Sequence, residues 1–122
     1  ETKVLEYANA AHNPPVLYSM DSGEIKHLET TCVGIGMLDN IPAVNPKEIV
    51  IDVPSKIMCY TDGLSELKYP NGEDIGTTEI IKHISNPRPI EENLQAMIKA
   101  LGIPDSNPTI FDDVSIIAAY LR

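Results

Sequence analysis

The hydrophobic period changes along this chain, and that change limits the fold more than any other feature. Through residue 61, apolar residues come in short runs separated by turn-forming residues. Glu48-Ile49-Val50-Ile51-Asp52-Val53 alternates, with Ile49, Ile51 and Val53 on one face, the pattern of a half-buried strand. Pro54-Ser55 turns the chain into a second strand, Lys56 to Thr61. Val4 to Ala8 and Val16 to Tyr18 are further strands, parted by the turn-rich stretch Asn9 to Pro15. Asp21-Ser22-Gly23 connects Val16–Tyr18 to Glu24–Leu28 as a hairpin. Cys32 to Gly36 is a brief apolar piece broken by glycines.

From residue 79 the spacing becomes helical. Glu79 to Ile84 supplies a short helix. Ile90, Leu94, Met97, Ile98 and Leu101 form the apolar stripe of an amphipathic helix over 90–101. Glu91 and Glu92 suit the positive end of that helix, Lys99 suits the negative end, and Gly102 with Pro104 stops it. Asp105-Ser106-Asn107-Pro108 reads as a loop. Val114 to Leu121 is apolar at both parities, the pattern of a central strand covered on each side. Antiparallel strands followed by segregated helices define an α+β fold rather than alternating βαβ units.

At 122 residues the chain is one domain or part of one. With one Phe, five Tyr and no Trp, aliphatic side chains must fill its core. A net charge of −9 opposes binding to nucleic acid and contact with an anionic membrane surface, both of which demand clustered Lys and Arg. The acidity serves solubility, or some carboxylates converge on a cation; composition leaves both open. Cys32 and Cys59 stand alone, without the paired spacing of a zinc site or a disulfide framework, and read as two buried thiols in a reducing compartment. No apolar run approaches the ~20 residues needed to span a bilayer, and no signal peptide is visible, so the expectation is a soluble, cytoplasmic segment. The chain opens at Glu1 without an initiator Met and enters a strand almost at once, as a piece of a longer polypeptide would.

Two aspartates stand at strand ends. Asp62 follows the strand Lys56–Thr61, and Asp112 precedes the strand that begins near Val114. If these strands are antiparallel neighbours, both carboxylates project from one sheet edge. Like charges ~4 Å apart repel by ~4 kcal/mol at an effective dielectric near 20. A divalent cation removes that conflict, and hard oxygen donors favour Mg²⁺ or Mn²⁺. Gly63 would allow the backbone close approach there. Spacing alone equally permits an ordinary Asp-Gly turn and an Asp cap.

Three stretches in order add to this: "EYANAAHNPPVLY" (Glu6 to Tyr18), "MCYTDGLSELKYPNGEDIG" (Met58 to Gly76) and "FDDVSIIAAYLR" (Phe111 to Arg122). Together they resemble the SpoIIE/RsbU-type branch of the PPM metal-dependent protein serine/threonine phosphatases. The resemblance spans essentially the whole chain. It implies part of a four-layer α-β-β-α antiparallel sandwich. It also implies that Asp62 and Asp112 are metal ligands, with Gly63, Asp113 and His12 as site support; it assigns no catalytic residue. A loop role for His12, hydrogen-bonded to its own turn, is preferred over acid catalysis. Ala11 stands where the family pattern has Gly, which bears on the backbone of that loop.

The upstream Asp-Gly motif of relatives has no counterpart here, because Asp21-Ser22-Gly23 follows the Asn-Ala-x-His motif and reads as a hairpin turn. Residues 1–122 therefore resemble the C-terminal portion of one phosphatase domain. The complete domain would hold two divalent cations, Mn or Mg, and this portion would bind metal weakly or not at all. The implied substrate is phosphoserine or phosphothreonine on a partner protein, an anti-anti-sigma factor of the STAS type. A sensor or receiver domain is expected upstream, and the open sheet edges favour self-association. The rival reading is a catalytically silent regulatory domain that binds a partner with the same fold. A Ca²⁺ module is disfavoured, since no run of alternating oxygen ligands occurs.

Overall fold

The computed structural model describes residues 3–103 and 112–122. In chain order the elements are strands β1 (Lys3–Tyr7), β2 (Val16–Ser19), β3 (Ile25–His27), β4 (Lys47–Ile51) and β5 (Ser55–Tyr60). Helices α1 (Asp62–Ser65), α2 (Gly76–Ile84) and α3 (Ile90–Ala100) follow, and strand β6 (Ile116–Leu121) closes the chain. The loop expected at Asp105–Pro108 lies outside the described residues. No described helix is long and apolar enough to cross a membrane.

The strands form two antiparallel sheets, a larger one in the order β3-β2-β5-β6 and a smaller one pairing β1 with β4. The expected hairpin is present, with Val16 opposite His27 and Tyr18 opposite Ile25. Although β4 and β5 are consecutive, they do not pair. β4 lies against β1, with Ile49 opposite Leu5, and the chain changes sheets through the 52–54 turn.

Side-chain parity explains the layering. On β5, Met58 and Tyr60 point towards the helices and join Val16, Tyr18, Leu64, Ile80, Ile84, Ile90 and Met97 in the main core. Ile57 points the other way and packs with Leu17, Leu28 and Ile51 between the two sheets. β5 is thus covered on both faces, as is its neighbour β2. Each of these fully buried aliphatic side chains stabilises the fold by roughly 2 kcal/mol. The described residues supply helices on one face of the large sheet and the small sheet on the other, an α+β arrangement.

β6 departs from its sequence reading. It is the outer strand of the large sheet, and Ile117 is 73% exposed. Apolar residues at both parities predict burial on both faces, but on the face shared by Ile117 and Leu121 only Leu121 packs against the inter-sheet cluster, and Ile117 is left exposed. The helices differ less: α2 begins at Gly76, three residues ahead of the periodic stretch, and the single turn α1 follows β5 directly. α3 matches expectation, with Ile90 and Met97 buried and Glu91, Glu92 and Lys99 at the favoured ends.

One buried residue was not foreseen. Lys56 shares parity with Met58 and Tyr60, so its side chain enters the helix–sheet interface, where the residue is 0% exposed. Its ammonium donates to Asn93 Oδ1 at 2.6 Å, Asn86 O at 2.6 Å and Ile84 O at 3.5 Å, and lies 5.9 Å from the centre of the Tyr18 ring. Asn93 Nδ2 donates in turn to Asn86 Oδ1 at 2.8 Å. The cation thus sits at the negative end of α2 and ties both long helices to β5. Its partners are neutral, so burial pushes its pKa below the ordinary lysine value of 10.5.

Replacing Lys56 by Met keeps much of the packing but leaves Asn93 Oδ1 and the Asn86 carbonyl without their donor. Urea unfolding is expected to show a loss of about 1–3 kcal/mol. The pH dependence has a defined sign. The unfolded chain holds the Lys56 proton to higher pH than the folded one, so this residue's contribution rises as pH climbs through the folded value towards 10.5. The wild-type minus Lys56→Met stability difference should increase across that window.

Candidate metal centre

β5 ends where β6 begins. The two strands are antiparallel, with Tyr60 opposite Ile116 and Cys59 opposite Ile117, so Thr61–Gly63 and Asp112–Ser115 emerge at the same end of the sheet. Thr61 joins them: its N–H donates to Ser115 O at 3.1 Å. Its hydroxyl accepts the Ser115 N–H at 3.0 Å and donates to Asp113 O at 3.1 Å. Past the ladder, Gly63 lies so close that a Cβ added to it would be 2.4 Å from Asp113 O and 3.4 Å from the Asp112 carbonyl carbon. No side chain fits there.

Asp62 opens α1, a wider role than ending a strand. The single turn is held by Glu66 N–H on Asp62 O at 2.8 Å and by burial of Leu64 and, just beyond it, Leu67. The Asp62 and Asp112 carboxylates are both exposed. Asp62 Oδ1 accepts the Gly63 N–H at 3.2 Å, and Asp112 Oδ1 accepts the Asp113 N–H at 2.8 Å. Each carboxylate is thereby oriented by its own following amide, and within the described residues its second oxygen is uncommitted. A hard divalent cation suits such donors, and the side-chain-free contact at Gly63 is the cradle that brings the two segments together. The fit is incomplete: among the described residues no three His, Cys, Asp or Glu side chains come together to hold a metal ion.

His12 lies in the loop leading into β2. Since Val16 is opposite Met58, that loop meets the sheet at the same end as Asp62. Its geometry comes from Asn9, which is buried and accepts the His12 N–H at 2.8 Å while donating to His12 O at 3.1 Å and Leu28 O at 2.9 Å. The His12 imidazole Nδ1 lies 2.9 Å from Asn13 O, an acceptor, which places a proton on Nδ1. Among the described residues no hydrogen bond joins His12 to either aspartate. Ala11 has φ of 58°, the left-handed region where the family pattern has Gly.

A cavity of about 290 Å³ opens beside this loop, lined by Leu5, Tyr7, Asn9, His12, Ile57 and Cys59 among others. It is mostly apolar and contains no carboxylate, so it is distinct from the aspartate pair. Burial pushes the Cys59 thiol pKa up, which keeps it neutral.

The structure brings Asp62, Gly63, Asp112 and Asp113 together at the end of the β5–β6 ladder, the neighbour relation that the sequence reading took as a condition. It adds Thr61 and Ser115, which that reading did not single out. A hydroxyl residue at the last ladder position before Asp-Gly was the available signal.

The fold is that of PP2C-type phosphatase domains, and the chain belongs to the Stage II sporulation protein E (SpoIIE) family, whose model matches residues 1–122. Protein IcfG of Synechocystis sp. is 29% identical over 118 residues, covering 95% of this chain and 18% of that protein. Among solved structures, the SiaA-PP2C domain of Pseudomonas aeruginosa superposes with a TM-score of 0.69 at 20% identity, covering 98% of this chain and 47% of that one. The RsbU and RsbW domains of Rv1364c from Mycobacterium tuberculosis give 0.66 at 25% identity, covering 94% and 31%. The chain thus spans less than half of each relative's length.

Two substitutions probe this edge. Gly63→Ala forces the Asp112–Asp113 peptide to move and is expected to cost about 1–3 kcal/mol in urea unfolding. Ala11→Gly should do the opposite. Relief of a left-handed alanine, ~1–2 kcal/mol, exceeds the extra chain entropy of glycine, ~0.4–1 kcal/mol, so the midpoint of unfolding should rise.

Proposed function

We propose that these residues form the C-terminal portion of a metal-dependent protein phosphatase domain, in which Asp62 and Asp112 are cation ligands. The observation that carries this reading is the Asp62–Gly63 turn packed directly on the Asp112–Asp113 backbone, two segments fifty residues apart in sequence. In a chain carrying the rest of the domain, further ligands complete a site for two Mn²⁺ or Mg²⁺ ions; the described residues alone supply too few donors for tight binding. When bound, such ions lower the pKa of a coordinated water towards ~7 and offset charge on the phosphoryl oxygens. The part of this chain is to fix two carboxylates at one sheet end, each oriented by a backbone amide. Asp113 contributes its N–H to Asp112 and its carbonyl to Thr61. His12 is a loop residue at the same end, held by Asn9.

The substrate in this reading is a phosphoserine or phosphothreonine on a partner protein, of the anti-anti-sigma STAS type, in bacterial signalling under an upstream sensor or receiver domain. The net charge of −9 fits a site that recruits cations before it meets a phosphate. Taken alone, the 122 residues are inactive and self-associate through their open sheet edges.

The test is turnover of a generic phosphoester by the complete parent domain with Mn²⁺. Asp62→Asn should lower it on the order of a hundredfold or more, beyond the loss typical of residues outside the ligand set. Unchanged turnover would refute the assignment and favour a silent, partner-binding domain.

A further inference from the structure

Thr61 makes more contacts across the aspartate edge than any ligand assignment requires. Its backbone N–H extends the β5–β6 ladder by one bond, to Ser115 O. Its hydroxyl then makes two further bonds to the segment after Asp112, accepting from Ser115 N–H at 3.0 Å and donating to Asp113 O at 3.1 Å. Asp113 O is also the atom against which Gly63 closes. One peptide carbonyl is therefore held from two sides, by the hydroxyl before Asp62 and by the glycine after it. The N–H of Asp113 meanwhile fixes Asp112 Oδ1. The Asp112–Asp113 unit consequently cannot rotate independently of the residues that carry Asp62.

We propose that Thr61 is a positioning residue whose hydroxyl sets the spacing of the Asp62 and Asp112 carboxylates for a shared divalent cation. The inference rests on the reading of those aspartates as ligands. Thr61 touches neither cation nor substrate; it acts through the Asp113 carbonyl and the Ser115 amide. Groups hydrogen-bonded to metal ligands are worth on the order of tenfold to a hundredfold in metal affinity. Thr61 acts one bond further out, through Asp113, whose N–H holds Asp112, so the lower end of that range is expected. Valine matches threonine in shape but lacks the hydroxyl. Serine retains the hydroxyl and lacks the methyl.

The experiment is Mn²⁺ titration of the ¹⁵N-labelled 122-residue chain, followed by paramagnetic broadening of amide signals, which reads weak binding as well as tight. In the wild type, the Gly63 and Asp113 amides should broaden together at one Mn²⁺ concentration. In Thr61→Val the half-broadening concentration at both amides should rise at least about tenfold, and Ser115 amide exchange should accelerate. Thr61→Ser should restore the wild-type response to within about twofold. If Thr61→Val responds like the wild type, the positioning role is overturned while the ligand reading stands. Should Thr61→Val fail to fold, Thr61→Ser decides alone, and a tenfold loss with the hydroxyl retained overturns the role. If the wild type shows no broadening at either amide, these residues hold no cation for Thr61 to position and this inference is overturned, while the ligand reading is decided separately by Asp62→Asn turnover in the complete domain.

Discussion

The fold turns on a contact that only a residue without a side chain can make. Gly63 meets the Asp113 carbonyl at a distance where any Cβ would collide. Because that contact lies just past the last rung of the β5–β6 ladder, the strand pairing and the site are a single construction. Shift the register by two residues and Thr61 loses Ser115, Gly63 meets a different peptide, and the carboxylates part. Apolar burial on both faces of β5 holds the register in place, since a one-residue slip would turn Met58 and Tyr60 away from the helices.

A second constraint operates at the opposite end of β5. Lys56 carries a charge into an apolar interface and meets only neutral acceptors: two carbonyls at the end of α2 and the Asn93 amide on α3. Such a group adds little net stability, because desolvation offsets most of what the hydrogen bonds return. Its effect is directional, since three acceptors from the α2–α3 region must converge on one nitrogen. β5 therefore carries a helix clasp near its start and the aspartate turn past its end.

Much of this was legible in the sequence, and the exceptions share a cause. Alternation in Glu48–Val53 and the helical stripe of 90–101 report which side of an element is apolar, and both elements are present where the pattern put them. The hairpin at Asp21–Gly23 was legible because turn chemistry is local. Pattern does not report what lies opposite. Ile117 belongs to a run that reads as buried on both faces, yet β6 is an outer strand. Lys56 reads as a solvated strand residue, and its burial follows from its parity with Met58, a relation that counts only once the helices are in place. At the site, the residue types of Asp62 and Asp112 pointed to chemistry, whereas the Thr61 clamp depended on a register that no local feature encodes.

The order of the elements along the polypeptide has a consequence for biosynthesis. β5 leaves the ribosome with Asp62 well before β6 exists, and the three helices are made in the interval. Until residues 112–121 follow, β5 lacks one neighbour and the turn after it has nothing to close upon. A nascent chain therefore passes through a stage in which its helical layer can dock while the paired-aspartate edge is still half absent, and that edge closes only once β6 has been made.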